Sequence, residues 1–229
     1  MERSSIRQQE LEARSLFEKA IEIDPNFALA YAHLANFYYS SIALRWDDLP
    51  REEALAKGLE LAGRALELDP ALPMANLVMG KLLLRRHDYA EAIVWAKKAI
   101  ALNVNDSESY AGLANILSFV NRAAEALPLM EQAVRLDPLH PPFYDMYIGR
   151  ALLQIGDYVR SLPPLQDCTR RVPAYWPCHA YLAIGLAQSG QDGPARVELA
   201  EMLKYYPVKS VAAYRAHSDY QRFRAVWGG

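Results

Sequence analysis

The chain has 229 residues, and 52% of them are hydrophobic, which is enough for a substantial buried core. Its formal net charge is −2, with 25 basic and 27 acidic residues, so the strong basic stripe of a nucleic-acid-binding protein is not indicated. No run approaches the roughly 18 apolar residues of a membrane span. Because Met1 to Glu12 is charged and lacks the apolar stretch of a secretory signal, we expect a cytoplasmic protein.

A short motif that usually ends in proline recurs along the chain. Its copies are I-E-I-D-P, L-E-L-D-P, A-L-N-V-N, V-R-L-D-P, R-R-V-P and K-Y-Y-P, aligned at Pro25, Pro70, Val104, Pro138, Pro173 and Pro207. From Pro70 onward, successive copies are 34 or 35 residues apart, whereas Pro25 and Pro70 are 45 apart. A fixed period of this length predicts an array of repeated structural units.

Each period has the composition of two packed helices. Small residues recur where the first helix would approach its partner, at Gly80, Ala114, Gly149 and Ala183. A second small position recurs on the other helix, at Ala65, Ala99, Ala133 and Cys168, with Met202 in the last copy. Large apolar residues four apart, such as Leu113 and Leu117, share one helix face. Proline follows the second helix, where it stops further helix growth.

This pattern resembles the tetratricopeptide repeat (TPR) family from about Leu11 to Pro207. The resemblance implies an all-α fold, a right-handed superhelical solenoid of antiparallel helix pairs. It also implies first helices that line a concave groove, second helices outside, and a protein or peptide as the partner. We expect a single TPR solenoid over 1–229. Its parts are an N-terminal half repeat 1–27, a repeat 28–72 with an insertion at about 39–52, repeats 73–106, 107–141, 142–175 and 176–209, and a C-terminal cap 210–229.

The first segment looks like a second helix without a first one. Residues from Arg7 to Ile23 carry the second-helix pattern, so Leu16, Phe17 and Ile21 would lie uncovered in water. Three outcomes are open: the helix folds back on its neighbour, the chain dimerises there, or an upstream domain normally precedes it.

The 39–52 insertion lies between the two helices of the first complete repeat. It is interpreted either as an extended loop or as a longer helix pair, held down by Ile42, Leu44 and Trp46. The other interpretation is a lid or contact surface, because repeat insertions often fall on the binding side. A homo-oligomer formed through the N-terminal helix or this insertion is a further alternative.

Three segments show a closer resemblance. They are A-I-E-I-D-P-N-F-A-L-A-Y-A-H-L-A (20–35), the insertion before E-E-A-L (52–55) and H-P-P-F-Y-D-M-Y-I-G-R-A-L (140–152). These segments are similar to repeat regions that follow bacterial class III adenylate/guanylate cyclase domains. Similar arrays follow bacterial winged-helix transcription regulators. This resemblance implies an alternative function, a regulatory or dimerising region of a larger bacterial signalling protein.

Residue patterns for catalysis are missing. The five histidines are scattered over different repeats and never pair at i, i+4, so a zinc site of that kind is not predicted. Two cysteines cannot form a disulfide framework, and Cys168 is interpreted as a free core cysteine. There is no glycine-rich phosphate loop. We therefore predict no enzyme, with no catalytic residues, no cofactor and no metal.

One groove position directly follows the small residue of each first helix, and it is polar in four repeats. These predicted groove residues are Asn36, Lys81, Asn115 and Arg150, with Ile184 ending the series. Neighbouring groove positions hold His33, Arg85, Tyr147 and Gln154. Amide and cationic groups suit an extended peptide, since they bind backbone amides and carboxylates. The alternative is that polar residues merely solvate the inner surface.

The chaperone-tail clamp that some family members carry is not reproduced here. Ala32 and Val78 stand where that clamp would place polar or basic groups, although Asn36 matches. We therefore do not expect binding of chaperone C-termini.

Overall fold

A computed structural model describes residues 2–44 and 49–205, which form eleven α-helices and, within those ranges, no strand. The helices are α1 (Glu2–Ile23), α2 (Ala28–Leu44), α3 (Arg51–Leu68), α4 (Pro73–Arg86), α5 (Tyr89–Leu102), α6 (Ser107–Phe119), α7 (Ala123–Leu136), α8 (Pro142–Gln154), α9 (Tyr158–Arg171), α10 (Trp176–Gln188) and α11 (Asp192–Tyr205). The predicted all-α class is confirmed. No described helix is both long and apolar enough to cross a membrane.

The tight turns between paired helices share one backbone conformation. The residue after or near the end of α4, α6, α8 and α10 has a positive φ, at His87 (73°), Asn121 (61°), Gly156 (82°) and Gly190 (76°). This left-handed conformation ends a helix and lets the chain reverse within two or three residues. The helices on either side of the turns at His87, Gly156 and Gly190 therefore run antiparallel, as in a helical hairpin.

The described residues divide into two compact units, residues 2–120 with 129–138 and residues 121–128 with 139–205. In the first unit, α2, α4 and α6 lie side by side, while α3 and α5 each pack against the first helices on both sides of them. Its core includes Ala35, Ala62, Val78 and Leu82, all nearly fully buried. The polar sides of helices α2, α4 and α6 thus lie next to one another.

Helix α1 packs against α2, so the N-terminal helix folds back on its neighbour. Leu11, Phe17 and Ile21 pack against a cluster that includes Leu34 and Tyr38. Phe17 and Ile21, two of the three side chains that the sequence predicted to lie uncovered in water, are thus packed against α2. The third, Leu16, remains 64% exposed.

The insertion is largely helical where the structure describes it. Helix α2 has 17 residues, three more than α4, and continues to Leu44 before α3 begins at Arg51. Ile42 and Leu44 pack against the same core cluster as α1. The longer helix pair is therefore the interpretation that agrees with the structure. Trp46 lies outside the described residues.

The second unit contains α8 to α11. Helix α9 packs against both α8 and α10, and α11 packs against α10. Its core is formed by Leu153, Leu165, Leu182 and Leu186. The predicted cap 210–229, and the end of the predicted 176–209 repeat, lie outside the described residues.

The two cysteines of the second unit are joined. Cys168 of α9 and Cys178 of α10 form a disulfide across a Cα–Cα distance of 5.9 Å, within the usual range for such bonds. Cys168 is fully buried, as the repeat pattern predicts, but the prediction of a free thiol is wrong. The reason is tertiary: the chain reverses between α9 and α10 and brings the two side chains face to face.

Candidate functional site

Five of the predicted groove residues come together in the first unit. His33 and Asn36 lie on α2, Lys81 and Arg85 on α4, and Asn115 on α6. Because α2, α4 and α6 are neighbours, these side chains occupy adjacent helices of one face. We call this set, with the contacting side chains described below, the first-helix face.

Lys81 links the three first helices. Its Nζ donates a hydrogen bond to Oε1 of Glu108 on α6 at 2.8 Å and approaches Oδ1 of Asn36 on α2 at 3.4 Å. The Lys81 residue is only 7% exposed, whereas the Glu108 side chain is 39% exposed. The short ion pair holds the lysine charge in place at the edge of the face.

Two titrating groups of this cluster have a lowered pKa. The nearby ammonium of Lys81 is the main cause of a lowered pKa for Glu108; burial opposes that effect, while the hydrogen bond from Lys81 and the charge of His33 add to it. Burial is the main cause of a lowered pKa for His33, opposed by Glu108 and assisted by Lys81. The His33 ring also stacks on Phe17, with ring centroids 4.9 Å apart.

Tyr39 lies at the centre of the same face. Its hydroxyl accepts a hydrogen bond from Nδ2 of Asn115 at 3.3 Å, and its ring centroid lies 4.8 Å from Cζ of Arg85. The ring of Phe119 lies 5.9 Å from the same Cζ atom. Asn115 is therefore committed to an internal contact and only 1% exposed, while Asn36 remains partly open to solvent.

The remaining predicted groove residues lie in the second unit. Cζ of Arg150 lies 5.4 Å from the ring centroid of Tyr147 and 5.9 Å from that of Tyr181 on α10. Arg150 is 5% exposed, and Gln154 is half-buried at the last residue of α8. A buried arginine between aromatic rings of adjacent first helices thus occurs in both units.

Several residues that complete these contacts were not selected from the sequence as functional. Glu108 lies in the first turn of α6, away from the periodic groove position, and only the helix packing brings it to Lys81. Tyr39 and Phe119 lie at helical spacing, where aromatic residues are usually part of the core. Tyr39 is indeed 8% exposed while it contacts two cations.

Polar residues near the start of three first helices contact the preceding turn. Nδ2 of Asn76 donates to the carbonyl of Pro70 at 3.1 Å. His179 contacts the carbonyl of Pro173 through Nε2 at 2.8 Å and Glu198 through Nδ1 at 2.6 Å. These side chains connect consecutive repeats.

Asp145 is the third of these polar residues, and it contacts an arginine and a histidine. It accepts a hydrogen bond from Arg171 at 3.1 Å and contacts His140 at 3.0 Å. Within the described ranges, no group of three His, Cys, Asp or Glu side chains is arranged to hold a metal ion.

Comparison with known proteins agrees with the repeat architecture. Residues 16–51 match the sequence profile of the tetratricopeptide repeat. The mitochondrial import receptor subunit TOM70 of Rattus norvegicus is 30% identical over 102 residues, which are 44% of this chain and 15% of the receptor. The chain spans 15% or less of the length of the first curated relatives that it matches.

Solved structures extend the likeness over most of the chain. YrrB, described as a TPR protein with an unusual peptide-binding site, superposes with a TM-score of 0.52 at 22% identity and covers 87% of this chain and 97% of its own. TTC0263, a thermophilic TPR protein of Thermus thermophilus, gives a TM-score of 0.66 at 16% identity, covering 82% of this chain and 95% of its own. The chain therefore contains a tetratricopeptide repeat at residues 16–51 and shares the all-helical fold of TPR solenoid proteins.

Proposed function

We propose that this protein is an interaction scaffold that binds a peptide or an extended segment of a partner protein on the first-helix face. The observation that carries the proposal is the meeting of amide and cationic side chains on three adjacent helices, among them Asn36, Lys81 and Arg85. Amides bind peptide backbone groups, and cations bind carboxylates.

The relatives support a binding role. TOM70 is named as an import receptor subunit, and YrrB is described by its peptide-binding site. The second unit offers Arg150, Tyr147 and Gln154 as further predicted contacts. We expect no enzymatic activity, because the described face has no nucleophile paired with a base and no metal cluster beside it.

The test is selection of binding peptides from a random dodecapeptide library displayed on phage, with the full chain as bait. Peptides selected in this way are synthesised, and their dissociation constants are measured by fluorescence polarisation. Asn36→Ala removes a partly exposed amide that makes only a 3.4 Å contact with Lys81, so the fold is expected to survive. We expect it to weaken binding by about threefold to tenfold, the cost of one hydrogen bond.

Lys97→Ala is the matched control, because Lys97 is exposed on the second helix α5. Its removal should leave the dissociation constant unchanged. Equal effects of the two substitutions would show that binding is not specific to the first-helix face. Failure to select any peptide would contradict the proposal.

The alternative is a regulatory or dimerising region of a larger bacterial signalling protein, and α1 favours it. Leu16 and Ile23 are seven residues apart on this helix, so they share a face, and they are 64% and 85% exposed. Light scattering over a tenfold concentration range distinguishes the two roles. A dimer that Leu16→Glu converts to a monomer would support the alternative, and a monomer at every concentration would contradict self-association through α1.

A cytoplasmic location is also part of the proposal, and the disulfide provides its test. Cytosolic thiol systems keep most cysteines reduced. If Cys168 and Cys178 titrate as two thiols in protein denatured directly from cells under acid quench, a reducing compartment is supported. A fully oxidised pair would favour an oxidising one.

A further inference from the structure

Arg85 occupies an unusual position on the first-helix face. It lies in the last turn of α4, between the ring of Tyr39 from α2 and the ring of Phe119 from α6. The residue is 7% exposed, and its own carbonyl accepts a hydrogen bond from Arg51 at 2.9 Å. Both the backbone and the side chain of Arg85 are thus held in place.

Among the residues that the structure describes, no carboxylate balances the charge of this arginine. In the described ranges 2–44 and 49–205, no acidic side chain forms an ion pair with the Arg85 guanidinium, and Nε is buried without a hydrogen-bond partner. The two terminal nitrogens of the Arg85 guanidinium, unlike Nε, are not buried without a partner. Two aromatic faces stabilise the cation only in part, because a buried charge normally also needs hydrogen-bond acceptors.

The neighbouring cations of α4 differ in this respect. Lys81, one helical turn earlier, has Glu108 at 2.8 Å. Arg86, the next residue, pairs with Asp88 at the surface. Of these three cations of α4, Arg85 alone lacks a carboxylate among the residues that the structure describes. This difference identifies the place where an external anion would be bound most strongly.

We propose that Arg85, with the rings of Tyr39 and Phe119, forms the binding site for a single aspartate or glutamate side chain of the bound peptide. The proposal rests on the proposed function and specifies the chemistry of its partner. A guanidinium offers parallel donors that match the two oxygens of a carboxylate, and the flanking rings reduce competition from water.

Glu108 restricts the partner further. Its carboxylate already neutralises Lys81, so a second acidic residue placed one helical turn from Arg85 would find no unpaired cation. The site therefore favours an isolated acidic residue over an acidic run. An acidic residue flanked by neutral or basic residues is the expected sequence.

The experiment uses the same phage-displayed dodecapeptides and the full chain. We expect the selected peptides to share one acidic position. A synthetic peptide of this kind is compared with its Glu→Gln or Asp→Asn counterpart by isothermal titration calorimetry. The neutral peptide should bind the unmodified protein about tenfold or more weakly, as expected for a charge-assisted hydrogen bond.

Two arginine variants locate the effect. With Arg85→Gln, both peptides should bind with nearly equal, weak affinity. With Arg86→Gln, which removes an adjacent but surface-paired charge, the tenfold preference should persist. If Arg85→Gln is too unstable to assay, Arg85→Lys keeps the charge but not the paired donors, and a reduced preference is expected.

Several results would overturn the inference. Selected peptides without a shared acidic position would do so, as would an Arg85→Gln protein that still prefers the acidic peptide tenfold. In both cases, weaker binding by Asn36→Ala would leave the proposed function intact. A library that yields no binding peptide would contradict both proposals.

Discussion

At the scale of single residues, the first-helix face combines charges that depend on one another. Lys81 lowers the pKa of Glu108 and also contributes to the lowered pKa of His33. The native state therefore favours ionised Glu108 and neutral His33. Both preferences weaken the native state as the solution becomes acidic.

The pH dependence of stability is expected to show two steps. His33 has an ordinary pKa near 6.5 and a lower one in the native state, so the unfolded chain takes up its proton first as the pH falls below about 6.5. Glu108 contributes fully above its ordinary pKa of about 4.5, and its contribution is lost as the pH falls through the lowered native pKa. Both steps reduce the free energy of unfolding.

Urea denaturation between pH 3 and pH 8 measures this dependence. His33→Gln should flatten the step that begins below about pH 6.5, and Glu108→Gln should flatten the step below pH 4.5 while leaving the upper one. Three parallel curves, for the unmodified protein and the two variants, would show that neither group is coupled to folding.

The sequence predicted which groove residues carry polar groups, but not how they are satisfied. Asn36 and Lys81 directly follow the small residue of their helices, and Arg85 was predicted as a neighbouring groove position. The partners Glu108 and Tyr39 do not, because their contacts join helices that are separated by 27 and 76 residues in the chain. Such pairings depend on the exact rotation of each helix, which a 34-residue period does not specify.

At the scale of helices, close approach between α4 and α5 depends on Gly80. A Cβ atom at this position would lie 2.8 Å from the carbonyl oxygen of Ala92 and 3.2 Å from the backbone nitrogen of Ala96. Backbone atoms cannot move aside as a flexible side chain can. The repeated small residue is thus explained at this position by contact between two helix backbones.

Gly80→Ala should lower the free energy of unfolding by about 1–3 kcal/mol, because the added methyl group forces the two helices apart. Gly63→Ala is the matched control in α3, where a Cβ would meet no atom within 4 Å. It should raise stability by roughly 0.5–1 kcal/mol through helix propensity. Urea denaturation of both variants checks the opposite signs, and equal signs would refute the packing argument.

The helices themselves were largely predictable from the repeat. Three prolines, at 128, 163 and 164, lie inside α7 and α9, where local propensity alone would end a helix. The period nevertheless predicts a second helix there. The continuation of α2 to Leu44 was less predictable, since an insertion breaks the period and leaves a loop and a longer helix equally compatible with the sequence.

At the scale of the whole molecule, the described helices pack mainly on neighbours in the chain. In such arrays, stability is approximately the sum of local units and their interfaces. The Cys168–Cys178 bond closes a loop within the second unit. It could not be predicted from two cysteines alone, because the pairing requires α9 and α10 to be docked.

Reduction of this disulfide should therefore destabilise the second unit most. Single-tryptophan proteins that keep only Trp95 or only Trp176 report on the first and the second unit separately. With reductant, the urea midpoint seen by Trp176 should fall by the equivalent of roughly 2–3 kcal/mol, and the midpoint seen by Trp95 should fall less.

A Cys168→Ser, Cys178→Ser double variant is the control and should not respond to reductant. Equal shifts at Trp95 and Trp176 would indicate that the chain unfolds as one cooperative body. Absence of any shift would indicate that the bond does not constrain the unfolded chain.

The same covalent loop has a consequence for the response of the chain to mechanical force. The joined cysteines are ten positions apart in the sequence, and a fully extended chain over those ten steps spans about 33–36 Å. When tension is applied at the two ends, these residues cannot lengthen while the bond is intact. The gain in contour length when the oxidised protein is stretched is consequently about 3 nm smaller than the gain for the reduced protein.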